Sequence, residues 1–169
     1  WDAQFKAIEA LAKIGDPRAA SAIVAALDVD EAQELNEVVF AALAKMGESG
    51  EKILIERLLS SDRKQRRYAA KHLAKIQTDK VRNALSKALE DSDVQVCVAA
   101  AKSLAVHAEP VAQSLLLRVF QDSRSVVREQ VLEVISQSDF TVPEKQLLNL
   151  LKDEDQLVRL QALRTVAIQ

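Results

Sequence analysis

Residues 151–166 read LKDEDQLVRLQALRTV. Leu151 closes an apolar pair with Leu147, an acidic break follows, and Ala162, Leu163 and Val166 then share one side of a helical segment. Upstream, the same arrangement returns at a fixed distance. Leu or Ile followed four residues later by Leu or Phe stands at Ile23/Leu27, Leu54/Leu58, Leu85/Leu89, Leu116/Phe120 and Leu147/Leu151, each step being 31 residues. A second series, Leu11, Leu43, Leu73, Leu104, Ile135 and Val166, steps by 32, 30, 31, 31 and 31. Four residues before each lies Ala7, Val39, Ala69, Ala100, Val131 or Ala162, and three before each lies Ile8, Phe40, Ala70, Ala101, Leu132 or Leu163. One apolar stripe on each of two helices per period is the reading these offsets allow.

Local signals agree. In IGDPRAA (14–20), Gly15 ends one helix, Asp16 caps the next and Pro17 takes its first turn. Thr141 and Glu144 stand at capping-box spacing, and Thr78 or Asp79 and Glu109-Pro110 mark equivalent starts. The spacing predicts eleven helices near 2–14, 17–27, 32–46, 50–60, 63–76, 79–89, 94–107, 110–121, 125–137, 143–151 and 156–168, and no strand. Short connections make neighbours antiparallel. A helix of about 12 residues with one apolar face does not fold alone, so stacked pairs must bury those faces against one another.

Composition fits. Hydrophobic residues make up 49% of the 169 but aromatics only 4%, with three Gly and three Pro, a helical palette of Ala and Leu. The 23 basic and 25 acidic residues give a net charge of -2 and no global pull toward nucleic acid. One cysteine, Cys97, rules out an internal disulfide framework. No run reaches the roughly 18 apolar residues of a membrane span, and no signal-peptide pattern opens the chain. The expected setting is cytoplasmic.

The repeat, as in residues 151–166 and in IGDPRAASAIVAAL (14–27), resembles HEAT repeats, and most of all the short subtype of phycobilisome-lyase-like proteins. The likeness runs the length of the chain and is specific to a fold, not to an activity. The expected fold is therefore all-α, a right-handed α-solenoid (superhelix) of antiparallel helix pairs forming one domain over 1–169. The resemblance implies a ladder between adjacent repeats, made by an Asp in the turn and an Arg six residues later. Carried over, the acids are Asp30, Asp91, Asp122 and Asp153 and the bases Arg66, Arg128 and Arg159. Ser60 replaces an acid, and Asn36 and Cys97 replace bases, so the ladder is expected to be broken in the N-terminal half. The resemblance also implies that the odd-numbered helices line the concave face. Trp1 begins almost inside a helix, and LQALRTVAIQ (160–169) lacks the polar outer face of a terminal repeat. A segment of a longer protein is expected, with pairing of open ends in an oligomer as the alternative.

Nothing in the sequence forms a catalytic constellation. His72 and His107 fall at core-flanking helix positions, where packing outweighs ligation, and one Cys with two distant His makes no zinc site. HEAT-repeat deoxyhypusine hydroxylases hold iron with His-Glu pairs, whereas this chain has His72-Leu73 and His107-Ala108. HEAT-like DNA glycosylases need concave aromatics that Trp1 and Tyr68 do not supply. Cys97, near a helix start that favours a thiolate, reads as a packing residue. No phosphate loop or nucleophile motif occurs. The chain is expected to be non-enzymatic and to need no cofactor or metal.

SDRKQRRYAAKHLAKIQ (61–77) holds six Lys or Arg. At 100° per residue, Lys64, Arg67, Lys71 and Lys75 share an arc of ~80°. Equivalent positions are Asp2, Phe5, Glu9 and Lys13; Glu34, Glu37, Ala41 and Lys45; Gln95, Val98, Lys102 and Val106; Val126, Glu129, Glu133 and Gln137; Leu157, Leu160, Arg164 and Ile168. The ridge thus runs from acidic through basic to apolar. The expectation is a scaffold that takes an acidic and apolar protein segment, or an adjoining domain of its own chain, on Lys64, Arg67, Lys71, Lys75, Val98, Lys102 and Val106. A structural spacer is the second reading. Nucleic acid is third, because Glu34, Glu37, Glu129 and Glu133 flank the basic helix and a phosphate track needs a longer stripe.

Overall fold

A computed structural model describes residues 2–25, 33–107 and 110–169. Among them lie eleven α-helices and no strand: α1 (Asp2–Ile14), α2 (Pro17–Ala25), α3 (Gln33–Leu43), α4 (Gly47–Arg57), α5 (Arg63–Leu73), α6 (Asp79–Ala88), α7 (Val94–Val106), α8 (Pro110–Arg118, continued by a 3-10 turn at Val119–Gln121), α9 (Ser125–Ser136), α10 (Glu144–Leu150) and α11 (Gln156–Ile168). Asp30 and Glu109 fall outside the described residues.

Caps fix the helix starts. The Asp16 carboxylate accepts from the Arg18 N–H at 2.8 Å, with Pro17 spending its missing donor at the first position. Asp62, Asp93 and Asp155 cap α5, α7 and α11 in the same way. The Thr78 hydroxyl accepts from the Val81 N–H at 3.2 Å. No capping box forms at Thr141. The helix starts at Glu144, and the Pro143 carbonyl accepts from the Gln146 and Leu147 N–H groups at 2.9 and 3.2 Å instead. Gly15 and Gly47 adopt φ of 69° and 60°, the left-handed conformation that turns the chain sharply after α1 and α3.

The predicted segment 50–60 is displaced to 47–57, because the turn at Gly47 starts α4 early. Gly50 then lies inside the helix and against α3. A Cβ there would sit 1.9 Å from the Leu43 carbonyl oxygen, so the absent side chain is what allows this crossing.

The chain forms two compact units, residues 1–84 and 85–169, with the division falling inside α6. In the first unit α1, α3 and α5 lie side by side, and α2 and α4 back them. Ile23, Val39, Phe40, Leu43, Leu54, Ala69 and Leu73 are almost wholly buried there. The Phe40 ring stacks on Tyr68 with centroids 5.5 Å apart, tying α3 to α5. In the second unit α9 packs between α7 and α11, with α8 and α10 against the same core. Its core includes Val96, Leu104, Leu116, Val131, Leu132, Ile135 and Val158. Apart from Val96 and Val158, these are positions the 31-residue period selects. Exceptions occur in α1 and α11. Ala7 is exposed, and Leu163 and Val166 are 57% and 48% exposed.

Candidate functional site

The basic residues of α5 divide by what they touch. Arg66 turns back along its own repeat and donates to the Ser60 and Ser61 carbonyls at 2.9 and 3.2 Å. Lys71 forms an ion pair with Glu37 on α3, and the same carboxylate receives His72 Nε2 at 2.9 Å. Lys64 and Lys75 are exposed and Arg67 half-exposed. None of these three makes an ion pair among the described residues, although the Arg67 guanidinium lies 5.6 Å from the Tyr68 ring centroid. The four-residue basic stripe is therefore three free cations and one that is neutralised within the fold.

Glu37, expected as a solvated acid beside the stripe, is half-buried. Burial pushes its carboxyl upward, and the hydrogen bonds from Lys71 and His72 outweigh this and hold it below the usual range. His72 is 5% exposed, and burial lowers its pKa against the opposing pull of Glu37. This histidine is a packed, hydrogen-bonded bridge between helices, and its ring stacks near Phe40 with centroids 6.3 Å apart. His107 is likewise buried, at the C-terminal end of α7. Among the described residues no three His, Cys, Asp or Glu side chains cluster as metal ligands.

In the second unit the repeat turns are clasped by guanidinium groups. Arg128, 6% exposed, donates to Asp153 Oδ2 at 2.9 Å and Oδ1 at 2.7 Å, spanning successive repeats. Its third donor reaches the Asp122 carbonyl of its own repeat at 2.7 Å. Arg159 makes the equivalent internal bond to the Asp153 carbonyl at 2.8 Å. The Cys97 thiol occupies the corresponding slot and donates to the Asp91 carbonyl at 3.1 Å. A thiol has one weak donor where arginine has five, and Arg124 makes up the difference. It pairs with Asp122 at 2.8 Å and reaches the Asp91 carbonyl at 2.7 Å and Cys97 Sγ at 3.5 Å. The hydrogen bond from Arg124 holds the Asp122 carboxyl low, while burial raises the Cys97 thiol. Sequence reasoning missed Arg124. The signal was an extra Arg two residues after Asp122, one repeat beyond the missing Arg at 97.

Val98 corrects the expected ridge: it is buried at 8% exposure, not solvent-facing. Its helix is packed by α8 and α9 within the unit. Val106 is 60% exposed. Together with Lys102, Phe140 and Asp139 it lines an open cleft of about 680 Å³. Lys102 has no charged partner among the described residues. Farther along, Glu129 is half-exposed, and burial together with Glu133 and Asp155 raises its pKa. Leu157, Leu160 and Ile168 on α11 are 60%, 42% and 67% exposed.

The family model for HEAT repeats matches residues 51–136, just over half of the chain. The chain belongs to the HEAT-repeat family. The model for the PBS lyase HEAT-like repeat matches residues 3–28, which places the N-terminal HEAT repeat in that subtype. No curated protein sequence matches the chain. Among solved structures, it is similar to a chain of the CpcE–CpcF complex of phycocyanin lyase from Nostoc sp., at 22% identity and a TM-score of 0.67, over 89% of this chain and 99% of that one. It is also similar to a designed armadillo repeat protein solved with the peptide (KR)4, at 18% identity and a TM-score of 0.52, over 97% and 90% of the two chains. At these identities the likeness is one of fold. No helix among the described residues is long and apolar enough to cross a membrane.

Proposed function

We propose that this HEAT-repeat chain is a non-catalytic scaffold that takes an acidic segment of a partner protein on the odd-helix side of its first unit. The observation that carries the reading is the set of unpaired cations on α5. Lys64 and Arg67, with Lys75 just past the helix end, remain without a carboxylate among the described residues, while Glu37 and Asp62 are engaged by Lys71 and the helix cap. An exposed cation that the fold does not neutralise is available to a partner, and Arg67, anchored by Tyr68, loses less side-chain freedom on binding. Exposed Val106, Leu157 and Leu160 on odd helices of the second unit support protein rather than nucleic acid as the class of partner. Both similar folds were solved with a protein or peptide partner. The non-catalytic part of the proposal is supported by the fate of the titratable groups. Glu37, Asp122 and Asp153 owe their lowered pKa values to hydrogen bonds within helix bridges and turns, and His72 owes its own to burial.

The test is quantitative partner recovery with wild-type protein and the K64E/R67E double variant, both checked for an unchanged thermal melt. The variant is expected to lose the partners that wild type retains, and recovery should fall with salt. Equal recovery of the same proteins would defeat the proposal.

A further inference from the structure

Lys13, Lys45 and Lys75 occupy one register position in three successive repeats, each near the C-terminal end of an odd-numbered helix. The backbone repeats with them. Lys45 N–H donates to the Ala42 carbonyl at 3.0 Å and Lys75 N–H to the His72 carbonyl at 3.3 Å. Met46 and Ile76 follow with identical 3.0 Å bonds to Leu43 and Leu73. Lys13 lies in the last turn of α1, just before the left-handed Gly15. All three side chains are exposed, and none has a charged partner among the described residues.

The acids at this edge are committed elsewhere. Asp16 pairs with Arg18, Glu48 with Lys80 at 3.8 Å, and Asp79 with Arg82. Glu9, a turn back on α1, is an exposed acid near the row. The three lysines sit at the negative ends of their helix dipoles, which favours the charged ammonium. Since α1, α3 and α5 lie side by side, at the usual helix separation of ~8–10 Å, the three register positions span about 20 Å.

We infer that this row is a docking edge for an extended acidic peptide whose carboxylates recur at every third residue. An extended chain advances ~3.3 Å per residue, so three residues cover about 10 Å, the spacing of adjacent packed helices. A block of four acids spans only about 10 Å, so it meets at most two of the lysines and leaves the third unmet. The inference rests on the protein-scaffold reading and adds to it the spacing of the ligand's charges.

The test uses two fluorescent peptides of equal composition: four repeats of Glu-Pro-Ser, and a block of four Glu followed by the same Pro and Ser residues. Anisotropy titrations compare wild type, K13E/K45E and the neutral K13Q/K45Q/K75Q. The repeating peptide is expected to bind wild type more tightly than the block. It should weaken roughly tenfold in K13E/K45E, the sum of several exposed ion pairs, and also in the neutral variant. Equal binding of the two peptides, or no change in K13E/K45E, overturns the inference. Tighter binding of an oligothymidylate of equal charge, with the same sensitivity to the lysines, would reassign the edge to nucleic acid and also overturn it. K64E/R67E separates the two levels. Partner recovery that depends on Lys64 and Arg67 but not on Lys13 and Lys45 leaves the scaffold standing and removes the docking edge.

Discussion

Replacing Arg128 by Met removes the clasp between successive turns while keeping most of the apolar stem. Arg128 and Asp153 have side chains 7% and 10% exposed, so neither charge is well solvated in the fold. The variant leaves the Asp153 carboxylate facing a buried methyl group and the Asp122 carbonyl without its 2.7 Å donor. Removing one partner of a buried ion pair costs about 3–5 kcal/mol. Asp153 keeps a hydrogen bond from the Asp155 N–H at 2.9 Å, which places the loss near the lower bound, about 3 kcal/mol. With a urea m-value of about 2 kcal/mol/M, the midpoint followed by circular dichroism should fall by about 1.5 M. Adding D153N removes the stranded charge and should restore part of the loss. Arg128 also sets a pH dependence. Its hydrogen bond lowers the Asp153 pKa against the opposing effect of burial, so this stabilisation is complete above the ordinary carboxylate range. It drains away as pH falls below about 4 and through the depressed folded value. In R128M that contribution should be absent at every pH. A midpoint shift below about 0.3 M, or no recovery on adding D153N, would refute the reasoning.

Three further outcomes follow from the packing. G50A forces a methyl onto the Leu43 carbonyl oxygen, 1.9 Å away, so α3 and α4 must separate. Where an ordinary helical Gly-to-Ala change stabilises, this one should cost about 1–3 kcal/mol in a urea titration, and a gain in stability would contradict it. His72 has a folded pKa below its ordinary value, burial outweighing Glu37, so the unfolded chain binds its proton first as pH falls. Stability should therefore decline as pH drops below about 6.5 and stop declining on this account below the folded pKa. H72Q should flatten that part of a stability-versus-pH profile measured beside wild type. Buried Cys97, its thiol pushed up, should react with maleimide on the order of 100-fold slower in the native protein than in urea, and equal rates would contradict its burial.

The fold was legible because every period repeats the same demand: Leu43, Leu73, Leu104 and Ile135 are each wholly buried at the same register point. Patterning alone did not separate α4's start from its close contact, since both Gly47 and Gly50 read as breakers. Only the backbone distinguishes a positive φ from a helix crossing. Face assignment at 100° per residue failed at Val98, where the angle says ridge but the side chain is buried. It was also too generous to Lys71. The neutralising Glu37 lies on the neighbouring helix, 34 residues away in sequence, and no single-helix projection carries that contact. Arg124 is the same lesson in reverse. A gap at Cys97 is filled from the next repeat, by a residue outside the repeating pattern. Periodicity reports what each helix shares with its equivalents, whereas these pairings are what individual repeats do differently.

The central claim is that a partner protein meets the odd-helix side of the first unit. Lysine acetylation footprinting, read by mass spectrometry with and without a recovered partner, addresses it directly. Lys45, Lys64 and Lys75 should be protected in the complex, while exposed Lys52 on α4 and Lys87 on α6 should react as in the free protein. Protection of Lys52 and Lys87 with Lys64 and Lys75 unchanged would contradict the account.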